Sequence, residues 1–252
     1  MSCFNLYSNN LVDKSVLTST NENAQFPASN VKDTRRTKVF RSTTNTDSMI
    51  FDFGETSDID TVFILADKRN GFGFDSALVQ FNGTSNFTSP AYSYSITLSE
   101  PHNLAHLEIP KISYRFCRIV MTSTLGYTEL SKVYVGSKLS LSKGIKFGWT
   151  QKDNDLSSKS KNRYGQLFVD TIIRQKVIGF SFSYLSKDDL ATINSVIDYS
   201  SEIKPLWFMI GDSSMSDDYR RTTGSFILSD VPSIANTHFN KYQLSFNVDE
   251  LT

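Results

Sequence analysis

The sequence predicts a mainly β protein in two halves, and three observations lead there. Aromatic residues make up 13% of the 252 residues, many in short runs where apolar and polar side chains alternate. Ser, Thr and Asn are abundant, and turn signals such as Lys68-Arg69-Asn70-Gly71 and Asn82-Gly83 separate the runs. Only one segment, opening at Ser186, carries apolar residues at helical spacing. Many short strands divided by turns point to antiparallel sandwiches.

In the first half the expected strands are 48–53, 61–66, 76–81, 92–98, 104–109, 114–122 and 132–136. The sixth is the clearest. Cys117, Ile119 and Met121 fall on one face by the period of two, and Phe116, Arg118 and Val120 on the other. The first domain is expected over residues 1–137, with a Ser-, Lys- and Gly-rich linker over 138–144 and a second domain over 145–252.

The second half opens with an expected strand at 145–150, which carries Trp149. The polar stretch from Gln151 to Asn162, led by Gln151, Lys152, Asp153, Asn154 and Asp155, has no periodicity and reads as a long loop. Two strands follow before Leu185. In the second, Ile178, Phe180, Phe182 and Tyr184 alternate with Gly179, Ser181 and Ser183. A helix is expected near 186–199, because Ser186 can cap it and Asp188 and Asp189 suit its N-terminal dipole. Leu190, Ile193, Val196 and Ile197 give it one apolar face, and Pro205 stops it. Strands at 205–210, 223–228 and 241–248 complete the chain.

Composition excludes several functions. The formal net charge is +0 and each half is close to neutral, which argues against nucleic acid and charged membrane surfaces. Nothing in the sequence reads as a membrane span or a secretory signal, so folding in a cytoplasm is expected. Cys3 and Cys117 cannot make a disulfide framework and read as buried thiols. The matches to the glycosylation pattern at Asn82 and Asn86 then read as chance.

Catalytic motifs do not assemble. His102 and His106 have the spacing of a zinc pair on a helix, but Pro101 precedes them and the segment reads as strand. Gly71-Phe72-Gly73 lacks the third glycine and the helix of a dinucleotide fingerprint. Gly211-Asp212-Ser213 resembles a lipase block, but only His238 follows it, without the spacing a serine's base requires. Asp212, Asp217 and Asp218 lack the spaced oxygen ligands of a calcium loop. No enzyme activity and no cofactor are expected.

Two motif sets carry a family resemblance for the first half. The run Phe26-Pro27-Ala28-Ser29-Asn30 leads through Asp33 to Phe40-Arg41-Ser42, then to a strand ending Asp52-Phe53-Gly54. Tyr114-Arg115-Phe116-Cys117-Arg118-Ile119, Leu125-Gly126-Tyr127 and the strand from Leu130 to Gly136 close it. This order resembles the discoidin-like, or galactose-binding-like, modules. Phe40 stands where the family usually has Trp, and Phe53 where it has Leu. The resemblance implies an antiparallel jelly-roll sandwich that binds or glues. It also implies a structural calcium in the opening loop, for which Asp33 is the candidate. The second half, with its strands, single helix and final alternating strand, resembles the tail-tube-like domains of tailed-phage tail proteins, of the distal tail protein type. That implies a second β-sandwich with one flanking helix.

Two functions fit these features. The one the sequence favours is a structural virion protein, a tail-tip, baseplate or adaptor block located in the phage tail. It would form a ring of copies, six-fold by the resemblance, and partner other virion tail proteins, with the Gln151–Asn162 loop, led by Gln151 to Asp155, ordered against a neighbour. The alternative is a carbohydrate-binding module that contacts host surface glycans. Its candidate patch is Phe72 and Phe74 beside Lys68, Arg69 and Asn70, because sugar recognition pairs an aromatic platform with polar donors.

Overall fold

A computed structural model describes residues 4–67, 71–99, 103–170, 174–201, 204–211 and 223–251. The chain divides into two compact units, one spanning Leu6–Leu139 and the other combining Met1–Asn5 with Ser140–Thr252. Strand β1 (Phe4–Leu6) joins the sheet of the second unit.

The first unit holds β2 (Val16–Ser19), β3 (Phe40–Arg41), β4 (Thr46–Leu65), β5 (Ser76–Asn82), β6 (Tyr92–Ser99), β7 (Leu104–Thr122), β8 (Glu129–Leu130) and β9 (Lys132–Gly136). Its main sheet runs β2-β4-β7-β5-β6, with β9 also on β4 and every pairing antiparallel. The expected strands at 48–53 and 61–66 are one long bent strand, β4, and those at 104–109 and 114–122 are likewise one, β7. The register between them shifts between Asp52 and Ser57 and again between Ile59 and Thr61. Gly54, at φ 82°, takes a left-handed conformation that side chains resist. Sequence reading ends the strand at Asp52-Phe53-Gly54, whereas bulges let a strand bend and keep pairing.

Alternation places the core as expected. Cys117, Ile119 and Met121 are buried and stand opposite Phe51, Met49 and Asp47 on β4, and opposite Phe81, Val79 and Ala77 on β5. Phe116, Arg118 and Val120 are only half-buried. Burial in this apolar layer pushes the Cys117 thiol well above its usual range, so it is an inert packing residue.

The second unit holds β10 (Thr150–Asp155), β11 (Ser158–Lys161), β12 (Leu167–Asp170), β13 (Arg174–Leu185), helix α1 (Lys187–Ser201), β14 (Leu206–Ile210), β15 (Thr223–Leu228), β16 (Ile234–His238) and β17 (Lys241–Glu250). Its sheet runs β1-β14-β15-β17-β13-β10, with β16 on β17, while β11 and β12 form a separate hairpin. Phe4, Phe180, Phe182, Phe208, Phe226 and Phe246 pack ring against ring as its aromatic core. Ser186 caps α1 reciprocally. Its Oγ accepts from Asp189 N–H (3.1 Å), while Asp189 Oδ2 accepts from Ser186 N–H (3.0 Å) and Oγ–H (2.7 Å).

Two expectations change in this unit. The segment 145–149 is not a strand, and strand structure begins at Thr150. The segment read as a long loop is largely strand, since Gln151, Lys152, Asp153, Asn154 and Asp155 pair with Ile178, Val177, Lys176, Gln175 and Arg174. Its polar, aperiodic sequence suits an edge strand, where both faces meet water and no alternation is imposed.

Candidate functional site

The site builds from the two ends of the first unit's chain. Between β2 and β4 lies a 26-residue connection, 20–45, which the backbone folds tightly. Asn23 N–H donates to Arg41 O (2.9 Å), Arg41 N–H to Phe26 O (3.0 Å) and Thr43 N–H to Asn21 O (2.8 Å). The short strand β3 then pairs with β8, setting Phe40 opposite Leu130 and Arg41 opposite Glu129. Buried Ser42 and Thr128 lock the junction: Ser42 N–H donates to Thr128 O (2.9 Å) and Thr128 N–H to Ser42 Oγ (2.8 Å).

This pairing assembles an arginine clamp. Arg41 Nε donates to Glu129 Oε2 at 2.7 Å, and Nη2 lies 2.5 Å from the same oxygen. The guanidinium carbon lies 4.6 Å from the ring centroid of Phe26 and 4.6 Å from that of Tyr127. A guanidinium stacks on aromatic faces at such distances. Glu129 is buried, while Arg41 keeps 32% of its side chain exposed. A guanidinium carries five N–H donors, and Glu129 engages it through one oxygen, by the Nε hydrogen bond and the Nη2 ion-pair contact. Phe26 and Tyr127 are half-buried, and Leu125, two residues before Tyr127, is exposed. Gly73 makes room behind the clamp, because a Cβ there would lie 2.4 Å from the Cβ of Glu129.

Asp47 and Asp75 brace the neighbouring loops. Buried Asp47 accepts from Ser19 Oγ (2.7 Å) and from Thr20 Oγ1. Asp75 Oδ2 accepts from Thr124 N–H at 2.7 Å, which ties down the loop leading to Tyr127.

The expected aromatic platform does not form. Phe74 is 2% exposed within the core, and Phe72 packs half-buried against it, edge to face at 5.2 Å between ring centroids. Two nearby phenylalanines on a turn-rich segment look alike as platform or plug, and here the sandwich uses them as plug. Lys68, Arg69 and Asn70 lie outside the described residues, as do Cys3, His102 and the blocks around Ser213 and Asp217. His106 stacks on Phe63 at 4.7 Å.

Asp33 is not arranged as a calcium ligand. Its carboxylate takes Arg35 N–H (2.9 Å), Nε (3.0 Å) and Nη2 (2.8 Å). Those bonds hold its carboxyl well below the usual carboxylate range. Among the described residues no group of three or more His, Cys, Asp or Glu could hold a metal ion, and no helix is long and apolar enough to cross a membrane.

Sequence reading quotes every clamp residue except Glu129, yet assigns none of them to a site. Phe26 and Arg41 bound the opening run, and Tyr127 stands in the closing one. The β3–β8 register alone makes neighbours of Arg41 and Glu129, 88 positions apart.

No family model matches the chain, and no curated protein does. Solved structures do. One is the Clostridium perfringens module CpGH89CBM32-5 in complex with GalNAc-β-1,3-galactose, at 12% identity and TM-score 0.44 over 51% of this chain and 100% of that one. A Streptococcus pneumoniae fucose binding module, SpX-3, matches at 11% identity and TM-score 0.45 over 52% and 98%. The family 32 carbohydrate-binding module of Clostridium perfringens NanJ, in complex with galactose, matches at 12% and 0.44 over 54% and 100%. At such identities and scores, what those modules bind is a property of theirs.

The reading as a structural virion protein is overturned. The three solved structures named above, similar over about half of this chain, are carbohydrate-binding modules and not tail proteins. The segment expected as an assembly loop, Gln151–Asp155, is a strand paired with β13.

Proposed function

We propose that this chain is a non-catalytic carbohydrate-binding protein whose Leu6–Leu139 unit takes a glycan at the Phe26–Arg41–Tyr127 clamp. The observation that carries the reading is the Arg41 guanidinium stacked on both rings and tied to Glu129. Sugars present rows of C–H groups that suit an aromatic face and vicinal hydroxyls that suit fixed planar donors. The clamp brings the donor and two rings together, and a sugar would meet the ring surface that the guanidinium leaves uncovered. Glu129 balances the charge of Arg41, so the site suits a neutral sugar better than an acidic one.

A glycan array probed with the full chain, followed by calorimetric titration of the best hit, tests this. Tyr127→Ala and Phe26→Ala should each weaken binding about fivefold or more, since a lost stacking contact is worth ~1 kcal/mol or more. Both variants should stay folded. A folded wild type that binds no neutral glycan, or variants that bind as tightly as wild type, would refute the assignment.

A further inference from the structure

Lys132 is the first residue of β9 and, at 5% exposed, is buried like the rest of that strand. Its ammonium reaches the short 3-10 turn Ala28–Lys32 of the opening connection, donating to the main-chain oxygen of Asp33 and to that of Asn30 at 3.2 Å. The Asn30 oxygen also accepts Asp33 N–H at 3.1 Å, so the two carbonyls converge from one turn. Asn30 is held in turn by its own Nδ2, which donates to Val39 O at 2.8 Å. Convergent main-chain oxygens around a buried positive charge are the chemistry of a cation site.

We propose that the carbonyl oxygens of Asn30 and Asp33 form an internal cation site that the chain fills with its own Lys132 ammonium. The tethered charge replaces a free metal ion as the fastener of the connection that carries Phe26 and leads into Arg41. Its bearing on the clamp rests on the glycan-binding reading; the cation site does not. The charged groups around it agree. Burial pulls the Lys132 pKa down to about 8, Asp33 and Asp13 pull it up and Arg35 pulls it down, so at neutral pH the group is an ammonium. From the same turn Lys32 Nζ donates to Ser15 O, a second tether.

The test is calorimetric unfolding of the full chain. Lys132→Met keeps the stem and removes the charge, and it should lower the sandwich transition by about 5–10 °C. Lys132→Ala should fall at least as far, and millimolar n-propylammonium chloride, which restores the deleted stem and charge, should recover part of the loss where equal NaCl does not. Wild type should unfold at the same temperature in CaCl2 and in EDTA. A Lys132→Met chain as stable as wild type would overturn the proposal, as would a wild-type sandwich transition raised by CaCl2 or an Ala variant indifferent to the amine. Because every readout is stability, a chain with this pattern that binds no sugar keeps the cation site and loses only its bearing on recognition.

Discussion

Replacing Arg41 by Met tests the clamp most directly. The substitution keeps an unbranched stem between Phe26 and Tyr127 but removes the charge bonded to Glu129. Glu129 is buried, and stranding a buried charge costs about 3–5 kcal/mol. Arg41 is 32% exposed, so water can reach part of the gap and the cost falls to about 2–3 kcal/mol. A unit of this size gains roughly 0.3 kcal/mol per kelvin of unfolding entropy, and the sandwich transition should therefore drop by about 7–10 °C. Both tryptophans, Trp149 and Trp207, belong to the second unit. Their fluorescence reports that unit alone, while calorimetry of the full chain records both transitions. The calorimetric sandwich transition should fall while the fluorescence transition stays. Adding Glu129→Gln to Arg41→Met should recover part of the loss, because the stranded carboxylate becomes neutral. A single variant within 2 °C of wild type would refute the argument that Glu129 depends on Arg41.

Three further outcomes follow from the same contacts. Phe74→Ala should cost about 3–5 kcal/mol, and Phe72→Ala clearly less, when the sandwich transition is followed by calorimetry; equal and small losses would return both rings to the surface. Gly73→Ala should cost about 1–3 kcal/mol, because the added Cβ would lie 2.4 Å from the Cβ of Glu129 and 2.9 Å from its nitrogen. Burial pushes the Asp189 carboxyl up, but bonds from Ser142 and then Ser186 outweigh it and hold the pKa at about 2. A depressed carboxyl stabilises above its unfolded pKa of about 3.9 and loses that contribution as pH falls toward 2. The tryptophan-reported transition should therefore lose about 2 kcal/mol over that window, and Asp189→Asn should flatten the loss; an unchanged slope would show that these bonds do not set acid stability.

The sequence by itself determined which residues face inward along the regular strands and where the single helix begins. Cys117, Ile119 and Met121 are buried as alternation requires, and Ser186 caps α1 as its polarity and the following acids require. These are local properties, set by the two-residue period of a strand and by the unpaired N–H groups of a helix start. Tertiary structure decided everything that depends on pairing between distant segments. It made one bent strand of Thr46–Leu65, because pairing with β7 resumes after the bulge at Gly54. It turned the polar run at Gln151–Asp155 into an edge strand, where solvent on both faces erases the periodic signal. It sent Phe74 to the core and gave Asn30 and Asp33 the ammonium of Lys132, about a hundred residues away. Above all it set Arg41 against Glu129 and between Phe26 and Tyr127. A side chain's type states what it can bind, but only long-range register states which partners lie within a bond's length of it.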